Sequence, residues 1–214
     1  YTPYVDTLPL IDIEPCQKNG YLTIGTFNKL NKINENVVAV WETIMERCPT
    51  IRLIMKSKDF TTPEIKQRFL NMWKNKTLFE RITILDFSIT NQLHLLEYNN
   101  LDLALDTFPY SGTCTTCDAL TMGVPVITLF ESNRQYHVQN VSTSILINAG
   151  LGEFVCYSEE DYINKVIHYA INPAELHNIK NRVRTNFMDT ICNNQKFVKE
   201  FEDKMIQVYN ELDM

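Results

Sequence analysis

The chain has 214 residues, of which 44% are hydrophobic and 21% are charged, and this composition is typical of one large globular domain. Its net charge of −6 argues against nucleic acid as the main partner, because phosphate backbones bind basic surfaces. No apolar run reaches the ~20 residues that a membrane-spanning helix needs, so we expect no membrane association. The first residue is Tyr1 rather than Met, so we expect the chain to begin inside a longer protein.

The six cysteines are scattered along the chain, with no spacing typical of a disulfide framework. This pattern favours a reducing compartment, and we therefore expect a cytoplasmic or nuclear protein.

Beyond Gly20, short apolar runs alternate with segments of helical periodicity. Before that point, residues 1–19 carry three prolines and are predicted to form an extended lead-in or linker. The predicted strands, in chain order, are residues 21–26, 51–55, 82–85, 101–105, 124–129 and 154–156. The predicted helices between them are residues 34–48 with Asn34 as the N-cap, 62–73, 90–98, 113–122 and 133–149.

The predicted strands are apolar throughout rather than alternating, which is typical of a parallel sheet covered on both faces. With helices between the strands, the fold class is α/β, with a Rossmann-like, doubly wound parallel sheet. From Glu159 onward no strand pattern is found, and helices beginning at Pro173 and Asn194 form a helical C-terminal tail. We divide the chain into a lead-in at 1–19, a Rossmann-like lobe at 20–157, and C-terminal helices at 158–214 that pack on the lobe.

Ligands of open α/β sheets bind beyond the carboxyl ends of the strands, where several loops meet. Polar and cationic side chains follow four of the predicted strands there. They are Asn28, Lys29 and Lys32 after the first strand, Lys56 and Lys58 after the second, His94 after the third, and the turn at 111–116 after the fourth. Cationic groups gathered on one edge of an acidic protein indicate a phosphate site.

The turn at 111–116 is the most specific of these segments. Gly112 permits close backbone approach, and the helix that follows presents unpaired N–H groups and the positive end of its dipole. Hydroxyl or backbone donors come from Thr113, Cys114, Thr115 and Thr116. Lys32 could neutralise part of a diphosphate, and Asp118, within two turns of the helix start, could accept hydrogen bonds from a ribose diol.

Simpler interpretations of the same residues remain open. Serine and threonine cap helices routinely, Lys29 could be merely solvated, and His94 could be a surface helix residue instead of a platform for the base. A redox or zinc role for Cys114 and Cys117 is disfavoured, because no second Cys/His pair stands at ligand spacing. The chain has no Asp-x-Asp motif, so we expect no metal site.

The motifs at residues 25–33, 40–49, 101–120 and 122–125 resemble the C-terminal catalytic lobe of glycosyltransferase family 41, which contains the O-GlcNAc transferases and the plant SPINDLY proteins. Residues 52–58, 68–69 and 137–146 look closer to SPINDLY. The resemblance implies the C-terminal lobe of a GT-B enzyme, with the donor held in this lobe. It also implies UDP-GlcNAc for the O-GlcNAc transferases and GDP-fucose for the SPINDLY proteins.

Carried over by position, the resemblance places Lys32 at the diphosphate, where it stabilises the leaving group. It places His94 beside the base, residues 113–115 in the phosphate turn and Asp118 at the ribose. Cys114 departs from the usual threonine, Glu97 stands where O-GlcNAc transferases have arginine, and Asn140 stands where many relatives carry arginine.

We therefore expect the donor-binding half of a protein O-glycosyltransferase that moves GlcNAc or fucose to Ser/Thr hydroxyls, with no cofactor besides the donor. The expected partners are a nucleotide sugar and a protein acceptor, the latter held by a preceding lobe and by tetratricopeptide repeats. Alone, the chain is expected to be inactive. The alternatives are a non-catalytic nucleotide-sugar-binding or scaffold domain, and a GT-B sugar-nucleotide epimerase or small-molecule glycosyltransferase.

Overall fold

A computed structural model describes residue 3 and residues 14–130, 132, 133 and 136–212. Six parallel strands form one sheet: β1 (Thr23–Thr26), β2 (Arg52–Lys56), β3 (Ile82–Leu85), β4 (Leu103–Leu105), β5 (Val126–Leu129) and β6 (Val155–Cys156). Their spatial order is β3-β2-β1-β4-β5-β6. The predicted doubly wound parallel sheet is thereby confirmed, and the chain reverses its direction of winding between β1 and β4.

Nine α-helices connect and flank these strands among the described residues. They are α1 (Pro15–Asn19), α2 (Glu35–Arg47), α3 (Pro63–Asn71), α4 (Asn91–Leu96), α5 (Cys114–Thr121), α6 (Val141–Asn148), α7 (Glu159–Ile171), α8 (Pro173–Thr190) and α9 (Asn194–Leu212). Asn34 caps α2 as predicted, accepting a hydrogen bond from the Val37 amide at 3.0 Å. Parallel crossovers are right-handed, so α2 and α5 lie on opposite faces of the sheet. The hydrophobic core lies between the sheet and these two helical layers.

The last residues of the predicted lead-in are helical, although the whole lead-in was predicted to be extended. Residues 15–19 form the helix α1, and the part of the lead-in at 1, 2 and 4–13 lies outside the described residues. The buried Asp102 carboxylate accepts hydrogen bonds from the amides of Cys16 at 2.9 Å and Thr23 at 2.8 Å. Glu14 forms an ion pair with Lys180 of α8. These bonds hold α1 against the lobe.

Two further elements differ from their predicted form. The helix predicted at 133–149 begins only at Val141, after a short 3₁₀ turn at His137–Gln139. In the C-terminal tail, α7 and α8 contribute buried side chains to the core, but none of the residues of α9 is buried. Among the described residues, no helix combines the length and apolarity needed to cross a membrane.

Candidate donor site at the carboxyl ends of the strands

The carboxyl ends of β1 and β4, which are neighbours in the sheet, form the centre of the site. β4 ends at Leu105, and Asp106 follows it as a fully buried carboxylate. This carboxylate accepts hydrogen bonds from the Gly112 amide at 2.6 Å and from the Thr128 hydroxyl at 2.7 Å. Burial raises the pKa of Asp106 above its ordinary value. Asp106 thus ties the turn at 111–116 back to the end of its own strand.

The backbone of Gly112 is engaged within the protein, and its predicted contact with a ligand stays a prediction. Its N–H is occupied by Asp106 and is not offered to a ligand. A Cβ at this position would stand 2.5 Å from the Thr116 hydroxyl and 2.8 Å from that of Thr115. Glycine is therefore required by the packing of the turn upon itself.

The Thr116 hydroxyl was predicted to donate a hydrogen bond to the ligand, and the structure does not support this role. It is buried and lies 2.8 Å from the Ser142 hydroxyl of α6. Ser142 in turn donates to the Gly112 carbonyl at 3.0 Å. These two hydroxyls join α5 to α6 beneath the turn, so their role is to shape the turn and not to contact a ligand.

The N-terminus of α5 has no side-chain cap. Thr113 occupies the N-cap position without a capping hydrogen bond, although capping was the simpler interpretation of this turn. The first N–H groups of a helix have no partner within the helix, so those that follow Gly112 are available to an external acceptor. Cys114 is exposed there, and Thr113 is exposed beside it.

Lys32 reaches this helix end from the loop after β1. Its ammonium donates to the Ser111 carbonyl at 2.8 Å and lies 4.3 Å from the centre of the Tyr110 ring. Partial burial lowers the pKa of Lys32, and the charges of Asp106 and Cys114 oppose that shift. A cation thus stands at the positive end of α5, where an anion would be bound from both sides.

Asn28 and Lys29, both predicted as site residues, differ in exposure. The buried Asn28 accepts a hydrogen bond from the Thr115 hydroxyl at 2.8 Å, which joins the β1 loop to α5. Lys29 is exposed and lies on the wall of an adjoining cavity.

His94 lies in α4 on the other side of the β1 end. Its ring contacts those of Phe27, at 5.8 Å, and Tyr98, at 5.6 Å between ring centres, and these two rings also contact each other. Its Nε2 atom lies 3.8 Å from a carboxylate oxygen of Asp118 in α5. The histidine and the acid, predicted as contacts of base and ribose, are therefore brought together.

A cavity of about 920 Å³ adjoins His94, which is the size of a typical small-molecule site. Its wall includes the cations Lys29, Lys56, Lys58 and Arg68, and the aromatic rings of Phe27 and Phe87. A larger cavity of about 1050 Å³ lies over β1–β3, lined by Tyr21, Arg52 and Thr83 among others. The smaller cavity lies at the carboxyl ends of the strands, where open α/β sheets bind ligands, and it adjoins the phosphate turn through His94 without being lined by Lys32 or by residues 111–116.

Three groups that shape the site have no place among the predicted site residues. Asp106 could have been found, since it is a lone acid directly after a buried strand. Ser142 carries no signal in the sequence, because its contact depends on how α6 approaches the turn. Lys56 was noted as a cation after a strand, but the sequence does not reveal its partners.

The described residues contain no cluster of three or more His, Cys, Asp or Glu side chains placed to hold a metal ion. All six cysteines are free, and burial raises the pKa of Cys117 to about 12, away from the range of reactive thiols.

Comparison with known proteins identifies the family of the chain. Residues 19–201 match the model of Glycosyl transferase family 41, so the chain belongs to this family of glycosyltransferases. The SPINDLY protein of Solanum lycopersicum, named as a probable UDP-N-acetylglucosamine–peptide N-acetylglucosaminyltransferase, is 36% identical over 204 residues. Its counterpart in Arabidopsis thaliana is 35% identical over the same length. Each alignment covers 94% of this chain and 22% of the relative, so the chain spans about a fifth of their length.

Among solved structures, a mutant of the Thermobaculum terrenum O-GlcNAc transferase superposes with a TM-score of 0.85 at 27% identity. The superposition covers 98% of this chain and 39% of that enzyme. The parallel sheet and its helices thus form the Rossmann-like C-terminal lobe of a GT-B glycosyltransferase, as the sequence predicts.

Proposed function

We propose that this chain is the donor-binding lobe of a protein O-glycosyltransferase, with the donor's diphosphate held between Lys32 and the N-terminus of α5. The observation that carries the proposal is the position of the Lys32 ammonium, 2.8 Å from the Ser111 carbonyl at a helix end that no side chain caps. An anion placed there would meet backbone N–H groups and a cation together.

The chemistry follows from where charge develops. When a sugar moves to a Ser or Thr hydroxyl, the bond from the sugar to the β-phosphate oxygen breaks, and negative charge grows on the diphosphate. Groups already positioned around that charge lower the barrier without rearranging, and removing one such donor typically costs ~3–4 kcal/mol. We assign this stabilisation to Lys32 and to the first-turn amides of α5. The proposal requires no cofactor besides the donor.

We infer that the sugar is GlcNAc from UDP-GlcNAc or fucose from GDP-fucose. UDP-GlcNAc is the donor that appears in the names of the SPINDLY relatives. GDP-fucose is the donor that the resemblance of residues 52–58 to SPINDLY proteins implies. We further propose that the protein acceptor binds a preceding lobe and tetratricopeptide repeats outside this chain. The chain alone would then bind a nucleotide and transfer nothing.

Calorimetric titration of UDP and GDP into the chain tests the proposal. Lys32→Ala is expected to weaken binding of the preferred nucleotide ten- to a hundredfold, because a hydrogen bond to a charged group contributes about 1.5–3 kcal/mol. Lys18→Ala is the matched control, since Lys18 is an exposed lysine in α1 that lines the other cavity. Unchanged affinity in Lys32→Ala would refute the assignment, and no binding of either nucleotide to the wild-type chain would refute the function.

A further inference from the structure

A hydrogen-bond network lies behind His94, outside the phosphate site. At its centre is Lys56, at the end of β2, whose side chain is only 4% exposed. Its ammonium contacts the Ser88 hydroxyl, Oε2 of Glu97 and, at 2.9 Å, Nδ1 of His94. Ser88 also donates its hydroxyl proton to Oε1 of Glu97 at 2.9 Å.

Every proton in this network can be assigned. An ammonium has three N–H donors and no acceptor, and Lys56 has three partners. The Glu97 carboxylate accepts from Lys56 and from Ser88, and it places a negative charge against the nearly buried ammonium. The third ammonium proton is directed at His94, so Nδ1 of that imidazole must accept.

The assignment fixes the state of His94. A neutral imidazole carries its single proton on one nitrogen, so an accepting Nδ1 places the proton on Nε2. A protonated imidazole would turn an N–H toward the ammonium, which this geometry forbids. The rings of Phe27 and Tyr98 pack against the imidazole, and this packing opposes a rotation of the ring away from Lys56.

We propose that Lys56 is a positioning residue that holds His94 as the neutral tautomer with its proton on Nε2. The Nε2–H then lies on the side of Asp118, whose carboxylate oxygen is 3.8 Å away. The site would thus present one hydrogen-bond donor and one acceptor side by side to the nucleoside portion of the donor. This last step rests on the proposed function, whereas the tautomer itself does not.

The tautomer is measured directly by long-range ¹H–¹⁵N correlation spectroscopy of the ligand-free chain. Four histidines are present, and a His94→Gln variant assigns the signals of His94. The wild type is expected to show the pattern of an imidazole protonated on Nε2. A wild-type pattern showing the proton on Nδ1, or a charged ring at neutral pH, would overturn the proposal even if no variant folds.

Lys56→Met tests the cause. It removes the ammonium and keeps an apolar stem, so the acceptors left behind, Ser88 and Glu97, now favour a proton on Nδ1. The His94 signals should shift toward that tautomer, and Lys56→Arg should restore the wild-type pattern. Lys18→Met is the matched control, because Lys18 is an exposed lysine in α1 that lines the other cavity and lies outside the network. An unchanged tautomer in Lys56→Met would overturn the proposal.

Nucleotide titration of the same variants separates this inference from the proposed function. Lys56→Met should weaken binding roughly three- to tenfold, the effect of one neutral hydrogen bond, with partial recovery in Lys56→Arg. If the wild type binds no nucleotide while the tautomer shifts as expected, the proposed function fails and the role of Lys56 stands. If nucleotide binds but the tautomer does not respond to Lys56→Met, the role of Lys56 fails alone.

Discussion

Replacing Gly112 with alanine tests the architecture of the phosphate turn at its tightest point. The new Cβ would stand 2.5 Å from the Thr116 hydroxyl, 2.8 Å from the Thr115 hydroxyl and 3.1 Å from the Asp106 carboxylate. Thr116 is held by Ser142, and Asp106 is held by Thr128, so neither neighbour can withdraw freely. Overpacking of this kind typically costs about 1–3 kcal/mol of unfolding free energy.

Denaturant unfolding measures that loss, and Gly152→Ala provides the matched control. A Cβ at Gly152 has no atom within 4 Å, so this variant should stay within about 0.5 kcal/mol of the wild type. Gly112→Ala should also weaken binding of a nucleoside diphosphate, because the displaced turn carries the first amides of α5. If Gly112→Ala were as stable as Gly152→Ala and bound nucleotide like the wild type, the described packing of the turn would be refuted.

Three further predictions follow from burial. Burial raises the pKa of Asp106 from its ordinary value of 3.8, so its contribution to stability is greatest below that value and is lost as pH rises through the raised pKa. Urea unfolding should therefore show Asp106→Asn gaining stability relative to the wild type as pH rises from about 4 to 7, and the opposite trend would contradict the shift. Iodoacetamide should label the exposed Cys114 well before the buried Cys117, and bound nucleotide should protect Cys114; equal labelling, or no protection, would count against the site. Ending the chain after Asn193 removes α9, which buries no residue, so the melting temperature should change by less than about 2 °C, and a drop of many degrees would show that α9 supports the lobe.

The fold was predictable because its strands are short and apolar on both faces. Ile82–Leu85 matches its prediction residue for residue, and the other strands differ from theirs only at their ends. The start of α6 was predicted too early, because periodicity cannot distinguish the 3₁₀ turn at His137–Gln139 from a first helical turn. That turn matters to the site, since the Val138 carbonyl accepts hydrogen bonds from the amide and hydroxyl of Ser111.

The site was predictable to the level of loops and not of individual contacts. Lys32 and the 111–116 turn converge because their strands, β1 and β4, are neighbours in the sheet. The sequence does not reveal that the Gly112 amide is bonded to Asp106 after β4, or that the Thr116 hydroxyl is bonded to Ser142 in α6. Such pairings depend on tertiary packing, and no local pattern in the sequence encodes them.

The central claim is that a diphosphate binds at the N-terminus of α5 beside Lys32. Amide ¹H–¹⁵N shift mapping during titration with UDP or GDP tests it most directly. The largest shifts are expected at the amides of residues 113–116 and in the loop at 28–32, and in Lys32→Ala both sets should need a ten- to a hundredfold higher nucleotide concentration. Shifts confined to the cavity over β1–β3, or shifts that saturate at the same nucleotide concentration in Lys32→Ala, would contradict the claim.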